Sequence, residues 1–289
     1  MKKSAHIKYI AGLILFGLNG IVSSKILLSS YEIVFSRTLF GSLFLIFLFS
    51  LKREKLQLLA YKKELIYVIL SGISMGLSWI FLYEAYQRIG VGLSSITYYT
   101  GPVIVMLSAP LVFHKKFSGR QWLCFALVLT GILFVSVPPL IGTTTFDLWG
   151  LFCGFASAVF HALMVIFTMK APHIMGLKNS MYQLTVSFLT ICIFVLAGHG
   201  IVLPATTSQW FWILFLSFVN TGIGCYLYFS EIAKLPVATV SILGYLEPLS
   251  AVIFAVLLLH ETLTPFEILG ALLILIGAIP TSLDKSDAS

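Results

Sequence analysis

The feature that most constrains this chain is a series of ten apolar runs, each long enough to cross a bilayer as a helix. A transmembrane helix needs about 20 consecutive apolar residues, whereas barrel strands are shorter and alternate polar with apolar side chains. Only 10% of the residues are charged, against about 25% in soluble domains. A soluble enzyme and a disordered protein are therefore excluded, and we predict an all-α integral membrane protein with ten transmembrane helices. The runs lie near residues 8–28, 31–51, 65–87, 92–113, 120–138, 148–169, 178–198, 209–230, 237–259 and 266–282.

The basic residues predict the orientation of these helices. If the N-terminus is inside, the inner segments carry 15 of the 18 Lys and Arg residues, all except Lys25, Arg37 and Arg88. Cytoplasmic loops are enriched in Lys and Arg, so we expect both termini to be cytoplasmic, in a multi-pass protein of the cell membrane. This topology accounts for the formal net charge of +7. No nucleic-acid partner is expected.

The chain also repeats internally. Residues 76–133 overlay residues 222–279 without a gap when shifted by 146, with 13 identities in 58 positions. Chance matching in so apolar a composition gives roughly one in ten, and a fixed period indicates a structural repeat. The matches that apolar bias explains least are Tyr99 with Tyr245, Pro102 with Pro248 and His114 with His260.

The repeat predicts two halves, residues 1–139 with helices 1–5 and residues 140–289 with helices 6–10. Because five is an odd number, the second half enters the membrane in the opposite direction to the first. Inverted repeats of this kind place a substrate site at their interface near the bilayer midplane and support alternating access. The sequence therefore predicts a transporter that binds a small-molecule substrate.

One residue and four stretches resemble the EamA-type branch of the drug/metabolite transporter superfamily, and the resemblance runs nearly from end to end. They are Arg37, YEAYQRIGVGLSSITYYTGP (83–102), LVLTGIL (127–133), YLEPLSAVIFAVLLLHETLT (245–264) and LILIGAI (273–279). The resemblance implies a ten-helix secondary transporter of small metabolites, and often export of amino acids or related compounds. It implies no enzymatic activity and no cofactor. Family membership does not identify the solute.

Glu247 is the ionisable residue that we expect nearest the midplane. It lies about ten residues into the ninth run, directly before Pro248, and a second break is expected at Gly101-Pro102 in the fourth run. Proline removes a backbone hydrogen bond, so the ninth helix is expected to loosen one turn before Pro248. A desolvated carboxyl group suits a proton carrier or a counter-charge for a cationic substrate. The alternative is a protonated glutamate that hydrogen-bonds to neighbouring helices.

Three further polar residues lie in the middle of apolar runs: Asn19, His161 and Asn220. Asn19 and His161 occupy corresponding positions in the first and sixth runs, so both are candidates to line a central cavity. His161 titrates near neutral pH in water and is a second candidate for proton coupling. Each of the three is also suited to an ordinary hydrogen bond between helices.

Aromatic residues form a second set of candidates for the substrate site. A substrate ammonium group is attracted to the faces of aromatic rings. The competing interpretation is ordinary packing between helices, with phenol groups hydrogen-bonded. The candidates are Trp79 and Tyr83 on one face of the third helix, Tyr98 and Tyr99 before the fourth-helix break, and Tyr245, the repeat partner of Tyr99.

A group of charged residues is expected toward the outer ends of the helices. Glu84 and Arg88 are spaced i, i+4, which suits an ion pair. We interpret the group as an outer gate or a structural network, although Arg37 and Lys25 also suit a substrate carboxylate. Its members are Lys25, Glu32, Arg37, Glu84 and Arg88.

Other functions are less consistent with the sequence. Residues 72–76 match the G-x-S-x-G pattern around Ser74, but that nucleophile motif needs a strand–turn–helix elbow. An intramembrane serine hydrolase is therefore only an alternative. A channel is another alternative, and the inverted repeat with its helix breaks is less consistent with it than with a transporter. The four cysteines lie in apolar runs and are expected to pack, so no metal site is predicted. The expected partners are a small molecule, the lipid bilayer and protons, while monomer or homodimer stays open.

Overall fold

The computed structural model describes residues 2–53, 61–114, 117–136, 147–198, 204, 206–230, 232–260 and 264–283, and these are almost entirely helical. Each of the ten predicted runs is occupied by helix. The elements are α1 (Lys2–Gly17), α2 (Asn19–Ser23), α3 (Ser30–Leu51), α4 (Lys62–Tyr98), α5 (Gly101–Phe113), α6 (Gly119–Ser136), α7 (Leu148–Met169), α8 (Gly176–Gly198), α9 (Thr207–Phe215), a π-helical segment (Leu216–Ile223), α10 (Gly224–Phe229), a 3₁₀ turn (Ile232–Lys234), α11 (Val237–Leu243), α12 (Leu246–Leu259) and α13 (Pro265–Leu283).

Within the described residues, eight helical segments are long and apolar enough to cross a membrane, and two further apolar helices are shorter, Gly119–Phe134 and Pro265–Ile279. Several spans combine two or more of the elements named above. The span Thr207–Lys234, for example, runs through α9, the π-helical segment and α10. The chain is thus a multi-pass helical membrane protein, as the apolar runs predicted.

Gly90 divides α4 into two spans. It has a φ of 75°, in the left-handed region that glycine enters without steric cost. The spans on either side are Lys62–Gly90 and Leu93–Phe113. The sequence predicted two separate runs here, and the structure joins them through this one glycine.

Helices α6 and α13 pack closely and run antiparallel. A Cβ added to Gly131 would lie 2.7 Å from the carbonyl oxygen of Gly270, and one added to Gly277 would lie 2.6 Å from that of Cys124. The two contacts are equivalent in the repeat, because 277 minus 131 and 270 minus 124 both equal 146, the repeat shift. The contact is therefore reciprocal, as it is across a two-fold axis.

Helices α3 and α8 are also antiparallel neighbours. The ring centroids of Tyr31 and Phe194 are 5.6 Å apart, and those of Phe35 and Phe188 are also 5.6 Å apart. Residue numbers thus increase along α3 in the direction in which they decrease along α8, so the two helices run antiparallel. These helices carry the second and seventh apolar runs, which the repeat makes equivalent.

The end of α5 matches the end of α12, and the start of α6 matches the start of α13, in the residues that the structure describes. Both preceding helices end at a histidine in the left-handed conformation, His114 with φ 53° and His260 with φ 56°. The N–H groups of Ser118 and Thr264 then donate to a side chain three residues ahead, over 2.8 and 2.7 Å. Such bonds are half of a capping box, which begins a helix.

Two helices are interrupted deep in the fold. The α-helical hydrogen-bond pattern is interrupted at Tyr99-Thr100, between α4 and α5, and at Gly244-Tyr245, between α11 and α12, although these residues keep right-handed helical dihedrals. The first interruption directly precedes Gly101-Pro102, and the second lies about one turn before Pro248. Each proline lies in the first turn of the next helix, where its missing N–H has no intrahelical acceptor to lose. Pro102 is the second residue of α5, and Pro248 is the third residue of α12.

Candidate functional site

Two adjoining cavities lie beside these interruptions. Four residues line both of them: Tyr98, His161, Tyr228 and Glu247. We therefore treat the two as one space, the central cavity. Sites for small molecules are typically concave and largely apolar, with a few convergent polar groups. The central cavity has this character.

Glu247 lies in the first turn of α12, immediately after the interruption. Its backbone carbonyl accepts a hydrogen bond from Ser250, over 2.8 Å. Its carboxyl group lines both cavities, and no hydrogen bond or ion pair reaches this group from the residues that the structure describes. The N-terminus of a helix favours a negative charge. The carboxyl group is therefore available to a proton or to a positively charged ligand.

His161, on α7, is held at the cavity by Tyr98. The Tyr98 hydroxyl and His161 Nδ1 are 2.8 Å apart, and the bond leaves the other ring nitrogen for a ligand. Gly101 lets the imidazole approach α5, since a Cβ there would lie 3.0 Å from His161 Cδ2. Gly101 is the repeat equivalent of Glu247, so the two halves differ at this position.

Tyr245 supports the site through a hydrogen bond to the backbone of Tyr99. Its hydroxyl donates to the backbone carbonyl of Tyr99 over 2.9 Å, and its side chain is fully buried. Tyr99 lines the first cavity, whereas Tyr245 lines neither. The predicted pair therefore meets, but only Tyr99 faces the cavity.

Asn19 and Asn220 form a linked pair on α2 and the π-helical segment. Asn220 Nδ2 donates to Asn19 Oδ1 over 3.2 Å and to the carbonyl of Leu15 over 3.0 Å. Asn19 lines the second cavity, while Asn220 is fully buried behind it. The contacts of Asn220 are thus those of a hydrogen bond between helices.

Arg37 lies against this pair and not with the outer charges. Its Nε donates to Thr221 Oγ1 over 2.9 Å, and its Nη2 donates to Asn19 Oδ1 over 3.3 Å. Its guanidinium carbon lies 4.7 Å from the centroid of the Trp79 ring. The position along α3 matches the expectation, but the side chain faces inward, because the rotation of α3 is set by its packing on α8 and the π-helical segment.

Comparison with known proteins agrees with this architecture. The family model described as the EamA-like transporter family matches the chain twice, over residues 3–137 and 148–283. The chain belongs to this family. The resemblance seen in the sequence motifs is thereby confirmed, and the coarse function, that of a membrane transporter, follows from it.

The EamA-like chain is similar to several proteins along most of its length. It is 24% identical to the uncharacterized transporter YxxF of Bacillus subtilis, over 96% of this chain and 88% of that protein. It is also 24% identical to human solute carrier family 35 member G1, over 78% of this chain and 64% of that protein. A solved crystal structure matches with a TM-score of 0.81 at 15% identity, covering 98% and 99% of the two chains. This last likeness concerns the fold.

Two of the predicted outer charges in this EamA-like protein, Glu84 and Arg88, form a network apart from the cavity. Glu84 and Arg88 form the expected i, i+4 ion pair, with 2.5 Å between Oε1 and Nε. Arg88 also contacts Asp147, which caps α7. Partial desolvation raises the pKa of Asp147, but the N–H of Gly150 and the Arg88 guanidinium outweigh it and hold the pKa below its usual value. The Tyr31 hydroxyl donates to Glu84.

Lys25 and Glu32 do not join that network. Glu32 accepts the N–H of Ser29 over 2.8 Å, in a capping box at the start of α3. Lys25 is exposed. The expected group of five charges is therefore divided among an ion-paired network, a helix cap, an exposed lysine and the buried Arg37.

Tyr83 is separated from the cavity that its neighbour Trp79 lines. It is buried in a cluster with residues of α3 and α8, and its ring centroid lies 5.3 Å from that of Tyr86. Trp79 lines the second cavity. The i, i+4 spacing predicted both side chains on one face of the third helix, but only Trp79 lines the cavity.

Sequence reasoning missed several lining residues, among them Tyr9, Tyr228 and Ser241. The Tyr9 hydroxyl donates to the carbonyl of Val240 over 3.1 Å, and its ring centroid lies 4.9 Å from that of Tyr228. Ser241 is part of the repeated segment, so its repeat match was an available signal. Tyr9 offered none, because a tyrosine at the start of an apolar run is also typical of the membrane interface.

Proposed function

We propose that this protein is a secondary active transporter that moves a small metabolite across the cytoplasmic membrane by alternating access. The central cavity is its substrate site. The observation that carries the proposal is the carboxyl group of Glu247, which faces this cavity beside an interrupted helix. Among the described residues, this carboxyl group has no hydrogen bond and no ion pair within 4.0 Å. Interrupted helices at the interface of repeats are typical of transporter binding sites.

The proposed topology has ten transmembrane helices in two inverted halves, residues 1–139 and 140–289, with both termini cytoplasmic. The double match of the family model supports the division into halves. The antiparallel, reciprocal contact of α6 with α13 supports inversion, because these helices are equivalent in the repeat. The distribution of Lys and Arg supports the cytoplasmic position of the termini.

The proposed substrate is an amino acid or a related amine or zwitterion, and the proposed direction is export. An ammonium group would contact the Glu247 carboxylate and the surrounding rings of Tyr98, Tyr228 and Trp79. Cations are attracted both to carboxylates and to aromatic faces.

Protons are the proposed coupling ion. Glu247 is the first candidate to carry one, and His161, which lines the same cavity, is the second. A group that exchanges a proton for the substrate ammonium would link the two fluxes, because one carboxylate cannot hold both at once.

Proteoliposomes containing the full chain test this proposal. Uptake of labelled amino acids is measured with and without an imposed pH gradient, in the wild type, in Glu247→Gln and in the control Glu267→Gln. Glu267 is partly exposed, lines neither cavity and caps α13 through Thr264. We expect saturable uptake that a pH gradient drives uphill, its loss in Glu247→Gln and its retention in the control. Flux that never saturates and cannot be driven uphill would instead indicate a channel.

A second candidate function is transport of organic or quaternary cations, also coupled to protons. The aromatic rings beside Glu247 favour it, because they form the kind of surroundings that bind quaternary ammonium groups. Inhibition of amino acid uptake by tetramethylammonium, and its own accumulation, would support this second candidate.

A hydrolase centred on Ser74 is not supported. Ser74 is buried in the uninterrupted helical part of α4, which is not the strand–turn–helix elbow that the nucleophile motif needs.

A further inference from the structure

Arg37 is a buried cation in a membrane span, and no carboxylate of the described residues lies close enough to form an ion pair with it. Its side chain is only 3% exposed, and α3 is one of the spanning helices. Among the described residues no carboxylate oxygen lies within 4.0 Å of the guanidinium. Burial of a charge is strongly unfavourable unless the charge is paired or hydrogen-bonded. Such residues are typically functional.

The neutral partners of Arg37 leave most of its donors unused. A guanidinium has five N–H groups arranged as a planar fork. The described residues take two hydrogen bonds, one from Nε to Thr221 and one from Nη2 to Asn19. Trp79 contacts the guanidinium through its ring face, an interaction that leaves the N–H groups at the edge available to a planar anion.

Two of these three partners are also part of the cavity wall. Asn19 and Trp79 line the second cavity, and so does Glu247. The space therefore has a carboxyl group on its lining and a guanidinium directly behind its Asn19–Trp79 wall. The Glu247 carboxyl group and the Arg37 guanidinium carry opposite charges when Glu247 is ionised.

We propose that Arg37 forms an anion-binding subsite at the Asn19–Trp79 wall, and that this subsite takes a carboxylate or another singly charged anionic group of the transported solute. The inference rests on the proposed function and deepens it. A solute with both an ammonium and an anionic group satisfies Glu247 and Arg37 together, as a bidentate Arg–carboxylate contact allows. A simple organic cation leaves Arg37 unpaired and is repelled by it.

A purely structural role for Arg37 is the competing explanation. Its two hydrogen bonds join α3 to α2 and to the π-helical segment, so a substitution also lowers stability. The test therefore needs a property that a structural bond does not change, namely preference for an anion.

Iodide is a suitable probe, because it is an anion and quenches tryptophan fluorescence. The full chain is purified with Trp122, Trp149, Trp210 and Trp212 replaced by phenylalanine, so that Trp79 is the single emitter of the original five. We expect iodide to quench Trp79 with saturation, and Arg37→Gln to abolish the saturable part while quenching by neutral acrylamide stays unchanged. Arg37→Lys should retain part of the effect, and Arg88→Gln all of it. Iodide quenching that is linear and insensitive to Arg37→Gln overturns the subsite.

Solute preference gives the second measurement, with wild-type tryptophans. Leucine, phenylalanine and alanine are each compared in proteoliposomes with the amine that lacks the carboxylate and the acid that lacks the amine. We expect at least one amino acid to be favoured over its amine by about tenfold or more, as for a site that loses a buried charged partner. Arg37→Gln should remove this advantage, while Thr221→Val, which removes one neutral partner and keeps the charge, should not.

The outcomes separate the two proposals. If the wild type transports amines as well as amino acids and Glu247→Gln still abolishes uptake, the subsite is wrong and the transporter stands. If no solute of any series shows saturable uptake, the proposed function fails and the subsite fails with it.

Discussion

The hydroxyl of Tyr245 donates to the backbone carbonyl of Tyr99 over 2.9 Å, and the two residues are 146 positions apart. This is the shift that relates the two halves of the sequence, so two equivalent tyrosines meet where both helices are interrupted. The bond satisfies a carbonyl that α4 leaves without an intrahelical partner. It thereby links the two interruptions across the centre of the fold.

We expect Tyr245→Phe to destabilise the protein by about 0.5–1.5 kcal/mol, the usual net value of one hydrogen bond. The reason is that the Tyr99 carbonyl is left buried without its donor. Thermal unfolding in detergent measures the change. Tyr67→Phe is the control, since no hydrogen bond of the Tyr67 hydroxyl is found within the described residues. Equal melting temperatures for Tyr245→Phe and the wild type would show that the bond contributes nothing.

Gly101→Ala tests the close approach of His161 to α5. The added Cβ would lie 3.0 Å from His161 Cδ2 and 3.2 Å from the carbonyl oxygen of Ala158. Overpacking of this kind costs about 1–3 kcal/mol, and it pushes the imidazole away from its bond with Tyr98. We expect weaker substrate binding together with lower stability. Gly20→Ala is the matched control, because nothing lies within 4 Å of a Cβ there. A fully active Gly101→Ala would remove His161 from the site.

The reciprocal packing of α6 and α13 predicts that two distant substitutions behave alike. Gly131→Val and Gly277→Val each introduce a side chain where a backbone oxygen lies 2.7 or 2.6 Å from the first added atom. Both should cost about 1–3 kcal/mol or more, and both should lower thermal stability to a similar extent. Gly119→Val, where a Cβ meets nothing within 4 Å, controls for the substitution itself. Strong disruption by one substitution and none by the other contradicts the two-fold contact.

Ser118 and Thr264 test the inversion directly. They are repeat equivalents at matching helix starts, and both are exposed. Ser118→Cys and Thr264→Cys, each in a chain whose four native cysteines are replaced by serine, should react with a membrane-impermeant maleimide from opposite sides. We expect Ser118→Cys to be labelled from the cytoplasmic side and Thr264→Cys from the outer side. Labelling of both from one face would mean that the repeats are parallel.

The sequence predicted part of the candidate site. The placement of Glu247 beside a broken helix was foreseen, because proline and a carboxyl group inside an apolar run are both conspicuous. The positions of Arg37 and Tyr83 relative to the cavity were not. Both side chains lie on the expected helices, but neither lines the cavity: Arg37 lies behind the Asn19–Trp79 wall, and Tyr83 packs in a cluster with α3 and α8.

The sequence by itself determined the class of fold, the ten apolar runs, the repeat and the regions where two helices break. These depend on run length, composition and the positions of proline, all of which are properties of the chain in order. Only the tertiary structure decided which side of each helix lines the central cavity. In a soluble helix the polar face reveals the inward side. In a membrane the lipid is as apolar as the protein core, so the rotation of each helix comes from packing and hydrogen bonds with its neighbours.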